Sequence, residues 1–572
     1  MLNALSALLR EDAAGLRSRT TRVDLPDGTW LRLPTDDDAL LLPVRRTEPG
    51  FQHHEEARLP LLRRESDGTV LTGCDEVLHA LRALADPRDR AGYDAFAQEC
   101  REATAAARQQ TRTTDAVHRD LVTRYGADPA RWNGPGASLA FDALAARLDH
   151  PVYPTARGRA GLTSGELREY APEFHPCFRL RWLALPRDAV ALSGTPDEQR
   201  PDAWRWPKPS EVDLPDHLDA SHLALPVHPL TATGPLTEAL RATGLADRAH
   251  LAKRPHLDVF PTLSLRTVAL ADRPTVHLKL PLATATLGRL NRRTIKPGTL
   301  ADGAAVQRLL AAVVAREPRF QGVVLLADET HYAHADHELI AALARHQPAD
   351  PDATSTAVPL AALLAPAPGG GLVIDRLADR HHRGDVLALL DTVLTLLFDW
   401  QTTLFGHGIA LESHQQNVTL LLGGAGPRLV FKDNDGPRIH AGRARAALGA
   451  PLPDFADRRI VVDDDRALID LFTTITVHLC AGAFAFALAR TGHAPLNTLL
   501  ALVRDRLADA VARLDAGPRT ALRTHVLDAA HLPVKAMVTA GTLLAKERSG
   551  ALDINKHYTT GPNYLLPGSD ER

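Results

Sequence analysis

Between His407 and Gly436 the chain gathers the side chains best suited to holding a charged ligand. Glu412, His414, Gln416 and Asn417 fall within six residues. They lead into the apolar run 418–422, a Gly-rich turn at 423–427, and a second apolar run that ends in Lys432-Asp433-Asn434-Asp435. Two extended runs around such a loop predict a β-hairpin. With the turn centred between Gly424 and Ala425, antiparallel pairing sets Asp433 opposite Gln416 and Asp435 opposite His414. Side chains alternate along an extended chain, so Glu412, His414 and Gln416 are expected to share a face with both aspartates. Hard oxygen donors of this kind suit Mg²⁺, which takes one or two carboxylates and completes its shell with water and phosphate oxygens. Ordinary polar residues at a strand entrance are the competing reading, which would suffice for one Glu or Gln but explains the whole set less well.

A second group lies in the middle of the chain. Ser264, Arg266 and Thr267 sit on an expected strand at 257–268, with Ser264 and Arg266 on one face, and Lys279 sits on another at 275–282 beside His277. Arg offers a planar fork and Lys a point charge, so with two hydroxyls they would cradle phosphate. Lys279 could instead be an edge-strand residue with its head in solvent. Basic residues of this chain are overwhelmingly Arg, however, which makes each Lys more informative. Thr284, Thr286, Asn291, Arg292, Arg293 and Lys296 follow between glycines, a composition suited to an oxyanion-rich substrate or to a simple basic turn. Upstream, His150-Pro-Val-Tyr153-Pro leads past Arg157 and Arg159 to Thr163, an N-cap with Glu166 in the capping-box position. That loop reads equally as an anion contact or as a turn with solvated arginines.

The elements that must position these groups follow from periodicity. Helical patterns at 75–84 and 91–125, with strand near 23–42, predict a helical N-terminal subdomain over 1–148. Strands at 178–185, 223–229, 257–268, 275–282 and 323–326 predict a central antiparallel sheet within a second subdomain, 149–371. Residues 191–220, with Trp204 and Trp206 among prolines, are expected to form a surface excursion, and 348–371 a flexible connection. His331, His334, Asp336 and His337 are read as a solvated loop leading into a helix rather than a metal site. Helices at 385–404, 464–490, 496–515 and 518–529 would support the hairpin in a third subdomain, 372–572.

Composition narrows the function class. The chain has 572 residues, 45% hydrophobic and 24% charged, with a formal charge of −3. That balance gives no electrostatic case for a nucleic-acid or membrane partner. Cys74, Cys100, Cys177 and Cys480 are scattered without metal-type spacing, as buried thiols in a reducing compartment would be. The N-terminus reads as an amphipathic helix rather than a signal peptide, and no later run is expected to be long enough to span a membrane.

Taken in order, HPVYP at His150, LPVHP ending at Pro229, SLRT at Ser264–Thr267, the Lys279 strand, NRRTIKPGT at Asn291–Thr299, and GIALESHQQN with KDNDG resemble the NRPS-independent siderophore synthetases of the IucA/IucC (aerobactin synthetase) family, in the form of its citrate-using branch. The resemblance covers roughly residues 150–565 and implies an α+β fold with thumb, fingers and palm lobes, a central antiparallel sheet, and a helical palm carrying a metal-binding hairpin. It implies an ATP- and Mg²⁺-dependent ligase that adenylates a carboxylic acid, citrate by preference, and passes the acyl group to an amine or alcohol. Ser264, Arg266, Thr267, Lys279, Gln416 and Asn417 would hold ATP, and Glu412, Gln416 and Asp433 or Asp435 would hold Mg²⁺. Thr286, Arg292 or Arg293, and His414 would hold the acid, with His150 near the reacting centre. Relatives commonly carry a second His at Tyr153 and an Arg-Asp pair at Lys432-Asp433. A cytoplasmic homodimer is implied as well. Two rivals remain. A kinase-like phosphotransferase would also use a Gly, an Asn and an Asp around a hairpin, but Ile409 stands where its catalytic Asp is usual. A non-catalytic siderophore- or iron-handling protein would leave the phosphate cradle unexplained.

Overall fold

The computed structural model describes residues 1–194, 204–349, 354–549 and 557–567. Its centre is a nine-stranded antiparallel sheet. In spatial order the strands are His250–Leu251, Phe178–Pro186, His256–Pro261, Thr267–Leu270, Val276–Lys279, Ile340–His346, Asp328–His337 and Ala191–Ser193, with His222–Val227 also paired to Phe178–Pro186. Alternation divides its faces. Val276 and Leu278 point into a core with Leu180, Trp182, Val268 and Leu270. Their neighbours His277 and Lys279 take the opposite side, in register with Arg345 and with Thr267 and Leu343 respectively. This second side faces the hairpin.

The hairpin has the register expected from its turn. Val418–Leu422 pairs antiparallel with Arg428–Phe431, Val418 opposite Phe431 and Leu421 opposite Arg428. It belongs to a separate four-stranded sheet, in which Val324–Leu326 runs parallel to Arg428–Phe431 and Thr356–Pro359 pairs with Val418–Leu422. The strand expected near 323–326 is therefore part of the hairpin's sheet, not of the central one. Thr356–Pro359 is largely buried within the stretch expected to be a flexible connection, of which 350–353 lie outside the described residues.

Further corrections have local causes. Residues 257–268 are not one strand: His256–Pro261 and Thr267–Leu270 are antiparallel neighbours joined by a tight turn in which Leu265 has φ +65°. His331, His334 and Asp336 lie on a ten-residue strand, Asp328–His337, which turns directly into Ile340–His346 with no helix following. Part of the expected excursion, 195–203, lies outside the described residues, but Trp204 is 3% exposed and packs edge-on against Trp206. The helix expected at 464–490 changes pitch, with α-helical ends at Arg466–Leu471 and Ala483–Arg490 and a π-helical middle, Phe472–Gly482. Three helical stretches, Pro297–Arg316, Val386–Gly406 and Arg466–Arg490, are long and apolar enough to cross a membrane, contrary to the expectation from sequence; 50%, 56% and 89% of their apolar windows are buried within the fold.

Packing also crosses the expected subdomain boundaries. A helix at Leu2–Arg10 precedes a six-stranded sheet and the 36-residue helix Arg90–Tyr125. Leu5 and Leu8 share one core with Leu397, Phe472, Phe484 and Tyr564, so the first and last thirds of the chain are packed together. Glu11, fully buried, accepts from the backbone N–H of Val538 (3.1 Å) and Thr539 (2.8 Å), tying the N-terminal helix to the end of the chain.

Buried histidines make this packing acid-sensitive. Burial lowers His228 and His150 to about 3, His53, His175, His414 and His478 to about 4, and His277 well below its ordinary value. Each folded pKa lies below the unfolded one, so the unfolded chain binds more protons and stability falls as pH drops from about 6.5 towards 4. Glu11, Glu99 and Asp142, raised by burial, act in the opposite sense. Each such histidine should cost about 2 kcal/mol between pH 7 and pH 5. The melting temperature is expected to fall by on the order of 10 °C over that interval; an unchanged value in differential scanning fluorimetry would contradict the buried neutral histidines.

Candidate functional site

Lys279 and the two hairpin aspartates, 154 and 156 residues apart in sequence, meet directly. The Lys279 ammonium, 5% exposed, donates to Asp433 Oδ1 and to Asp435 Oδ2 at 3.0 Å. Burial would raise the Asp433 pKa, but Lys279, Arg345 and Arg266 outweigh it and hold the carboxyl well below the usual range. Asp433 itself has φ +65°, a strained conformation for a non-glycine residue that ends the extended strand. Its backbone N–H donates to Glu329 Oε1 at 2.7 Å, and Glu329 Oε2 accepts from the N–H of Asn434 at 3.2 Å. Arg345 binds Glu329 and reaches Asp433 Oδ1 at 3.3 Å. A buried Arg–Glu pair on adjacent strands of the central sheet thus sets the aspartate that the hairpin supplies.

The pairing register continues to Asn417–Lys432, whose N–H···O bond is 3.1 Å. Beyond it the expected alternation fails. Residues 412–417 fold back as a compact turn, with His414 N–H donating to Glu412 O (2.9 Å) and Asn417 N–H to His414 O (2.8 Å). Asn417 Nδ2 also donates to Glu412 O at 3.2 Å. Glu412, His414 and Gln416 therefore do not form one strand face. The turn is held from behind by the π-helical segment, where Gln415 donates to Leu479 O and Cys480 Sγ to Ser413 O (3.2 Å). The Glu412 carboxylate faces Lys535 Nζ at 3.6 Å. Gln416 is half-buried; its N–H donates to His414 Nδ1 at 3.3 Å.

His414 is near enough to His150 to depress its charge. Burial comes first in lowering both; His414 and Lys535 add to it at His150, and Lys535 and Arg293 at His414. His150 Nδ1 accepts from the N–H of Val152 (3.2 Å) and Tyr153 (3.1 Å). With both Nδ1 atoms accepting, the proton of each neutral ring sits on Nε2. Two neutral imidazoles with donating Nε2–H groups can hold anionic oxygens without supplying charge. Tyr153 is turned into the core, where its hydroxyl donates to Glu99.

Ser264 and Arg266 occupy the turn between two strands of the central sheet, not one strand face, and Thr267 begins the second of those strands, opposite Lys279. Ser264 Oγ accepts from Thr267 N–H at 3.1 Å, and Arg266 Nη1 donates to Thr294 O at 2.7 Å. Arg293 Nε donates to Thr286 Oγ1. Burial, then Arg266 and Arg159, push the Arg293 guanidinium down to about 9, against the opposing pull of Asp433 and Asp435. Arg292 has a side chain 60% exposed and lies 3.3 Å from Glu338.

Oxygen donors from Asp433 and Asp435 converge on a single cation, with Glu412 on the neighbouring turn: its Oε2 lies 3.1 Å from where a Cβ on Gly436 would stand. This donor chemistry fits a hard divalent ion. A second cluster, Asp328, His331 and His346, has metal-like proximity. There, however, His346 Nε2 accepts from Trp204 N–H at 2.8 Å, which places the ring proton on Nδ1 and removes that nitrogen as a ligand.

Sequence reasoning missed Glu329 and Arg345, left Arg159 open between an anion contact and a solvated turn, and gave Lys535 no role. Arg345 had a readable signal: it is a lone cation inside the apolar strand Ile340–His346. Glu329 and Lys535 had none, because their importance comes from contacts across about a hundred residues of chain.

Residues 138–365 match the IucA / IucC family and residues 387–550 the ferric iron reductase FhuF-like transporter family. The rhizobactin siderophore biosynthesis protein RhbC of Rhizobium meliloti is 28% identical over 416 residues, 66% of this chain and 68% of that protein. The L-2,3-diaminopropanoate–citrate ligase of Staphylococcus aureus is 27% identical over 142 residues, 24% of this chain and 23% of that ligase. The structure of ATP-bound aerobactin synthetase IucA from Klebsiella pneumoniae shares the fold at a TM-score of 0.70 and 20% identity, covering 99% of this chain and all (100%) of that one. The motif order from His150 to Asp435, the shared fold and the match over residues 138–365 point the same way: this part of the chain carries the pattern of the IucA / IucC family, and the chain is similar to a siderophore biosynthesis protein.

Proposed function

We propose that the chain is an ATP- and Mg²⁺-dependent ligase that adenylates a carboxylic acid, citrate by preference, and transfers the acyl group to an amine or alcohol. The observation that supports this reading is the meeting of Lys279 with Asp433 and Asp435 near Arg266, Arg293 and Arg159, a grouping whose chemistry suits phosphate and a polyanionic acid. A citrate-ligase relative supports the choice of acid. Cytoplasmic location, a homodimer and a thumb–fingers–palm division belong to the same reading.

In the first step a carboxylate oxygen of the acid attacks the α-phosphorus of ATP. An O–P bond forms, the bond to the β-phosphate bridge breaks, and pyrophosphate leaves. In the second step the nucleophile attacks the acyl carbon, AMP departs with the shared oxygen, and the nucleophile loses its proton. Both reactants of the first step are anions, so most of the catalysis must come from positioning and charge. Arg266 and Lys279, with Ser264 and Thr267, hold the phosphates; Arg293 and Thr286 hold the acid. His150 and His414 donate Nε2–H to its oxygens. Asp433, Asp435 and Glu412 would hold Mg²⁺, which when bound supplies neutralisation of phosphate charge. Gln416 and Asn417 complete the nucleotide side through the turn they build.

Glu412→Ala is expected to lower turnover by about 10²-fold or more while leaving the fold intact, since Glu412 is half-exposed at the turn. Pyrophosphate release within threefold of the wild-type rate would remove Glu412 from the site.

A further inference from the structure

The long helix Arg90–Tyr125 contributes one buried acid to the region behind the site. Glu99 is 6% exposed and saturated by four donors. Oε1 accepts from Thr542 Oγ1 (2.6 Å) and the backbone N–H of Arg289 (3.1 Å); Oε2 accepts from the Tyr153 hydroxyl (3.0 Å) and Thr155 Oγ1 (3.0 Å). These donors come from three segments far apart in sequence. The Arg289 side chain turns instead towards Glu102, at 4.0 Å.

Each segment leads to the site. Tyr153 and Thr155 follow His150, Arg289 lies between Thr286 and Arg293, and Thr542 follows Lys535 by one turn and a strand end. The loop 284–293 is braced at its base, where Thr284 Oγ1 donates to Ala160 O (2.7 Å) and Arg293 N–H to Thr284 O (2.8 Å). Its apex carries the exposed Leu290 and Arg292. Among the described residues, the apex is tied inward by the Arg289 N–H, shared between Glu99 and Thr542 Oγ1 (3.3 Å), and by Leu290 N–H on Gly541 O at 3.0 Å. Gly288, at φ +111°, permits that approach, since a Cβ there would stand 2.7 Å from Gly541 O.

We propose that Glu99 is a positioning residue for the acid substrate: a buried acceptor of four hydrogen bonds that fixes loop 284–293, and with it Thr286 and Arg293, relative to His150. The inference rests on the function proposed above for that pocket. Glu99 reaches the substrate only through these segments. The phosphate cradle of Ser264, Arg266 and Lys279 is held by other bonds, so an effect of Glu99 should fall on the acid and spare ATP.

The test is Glu99→Gln in the full chain. An amide offers one acceptor oxygen in place of two, and its NH2 meets the Tyr153 and Thr155 hydroxyls, which must reverse their protons to accept it, so the four-donor arrangement is broken. The KM for citrate is expected to rise about tenfold while that for ATP stays within about twofold. Backbone amides of 284–293 should exchange with deuterium about tenfold faster, with those of Val276–Lys279 unchanged. Thr542→Val should give the same pattern more weakly and Thr542→Ser should restore it, which keeps the proposal testable if Glu99→Gln does not fold. Unchanged citrate KM, or equal loss for citrate and ATP with faster exchange throughout, would overturn it. Exchange is measured without substrate. A wild-type protein that fails to turn over ATP would therefore defeat the functional reading, while the exchange data still decide whether Glu99 holds the loop.

Discussion

Lys279→Met should reduce acid-dependent pyrophosphate release by about 10³-fold, with little change in overall fold. Methionine preserves most of the aliphatic stem, so packing against the central sheet is retained. The lost ammonium is what two carboxylates converge on, at Asp433 Oδ1 and at Asp435 Oδ2, 3.0 Å away. Without it Asp433 keeps Arg345 but Asp435 loses the Lys279 ammonium, and on the proposed function two acids would then repel the ATP phosphates. Lys279→Arg should rescue poorly, because a planar fork cannot reproduce a point charge shared between two carboxylates and a phosphate. Turnover of either variant within tenfold of wild type would show that the Lys–Asp cluster is a structural ion pair.

Arg293→Ala should raise the KM for the acid by about 10²-fold and leave that for ATP nearly unchanged, whereas Arg292→Ala should be close to silent. The two residues are adjacent and identical in type, and only the fold separates them. Arg293 lies against Thr286 with Arg266 and Arg159 nearby; Arg292 is exposed beside Glu338. Guanidinium groups close enough to oppose the charge of Arg293 favour an anion beside it. Steady-state kinetics of the two variants settle the matter, and the reverse ranking would mean that the acid enters from the Glu338 side.

What the sequence disclosed and what it concealed differ in range. The hairpin register was readable because a Gly-rich turn fixes pairing on both sides of it, and Val418 does face Phe431. The capping box at Thr163 was readable from two residues, and the hydroxyl does accept from Glu166 N–H at 3.2 Å. Lys279 stood out against an Arg-rich background and proved to be at the centre of the cluster. The turn at Ser264–Arg266 was hidden because nothing in the alternation announces a positive φ at Leu265. The fold-back of Glu412–Asn417 was hidden for a related reason: its bonds run within the turn and to a π-helical carbonyl at Leu479, a pitch that hydrophobic periodicity cannot foretell. Glu329 and Arg345 act on Asp433 across strands, so their role exists only in three dimensions.

The most direct test of the central claim is product analysis after incubating the purified protein with ATP, Mg²⁺, citrate and hydroxylamine. The proposed chemistry yields AMP, pyrophosphate and a citryl hydroxamate, with no AMP when acid is omitted. ADP without pyrophosphate would contradict adenylation and favour phosphoryl transfer. Absence of nucleotide turnover with citrate and with a panel of other carboxylic acids would contradict a ligase altogether.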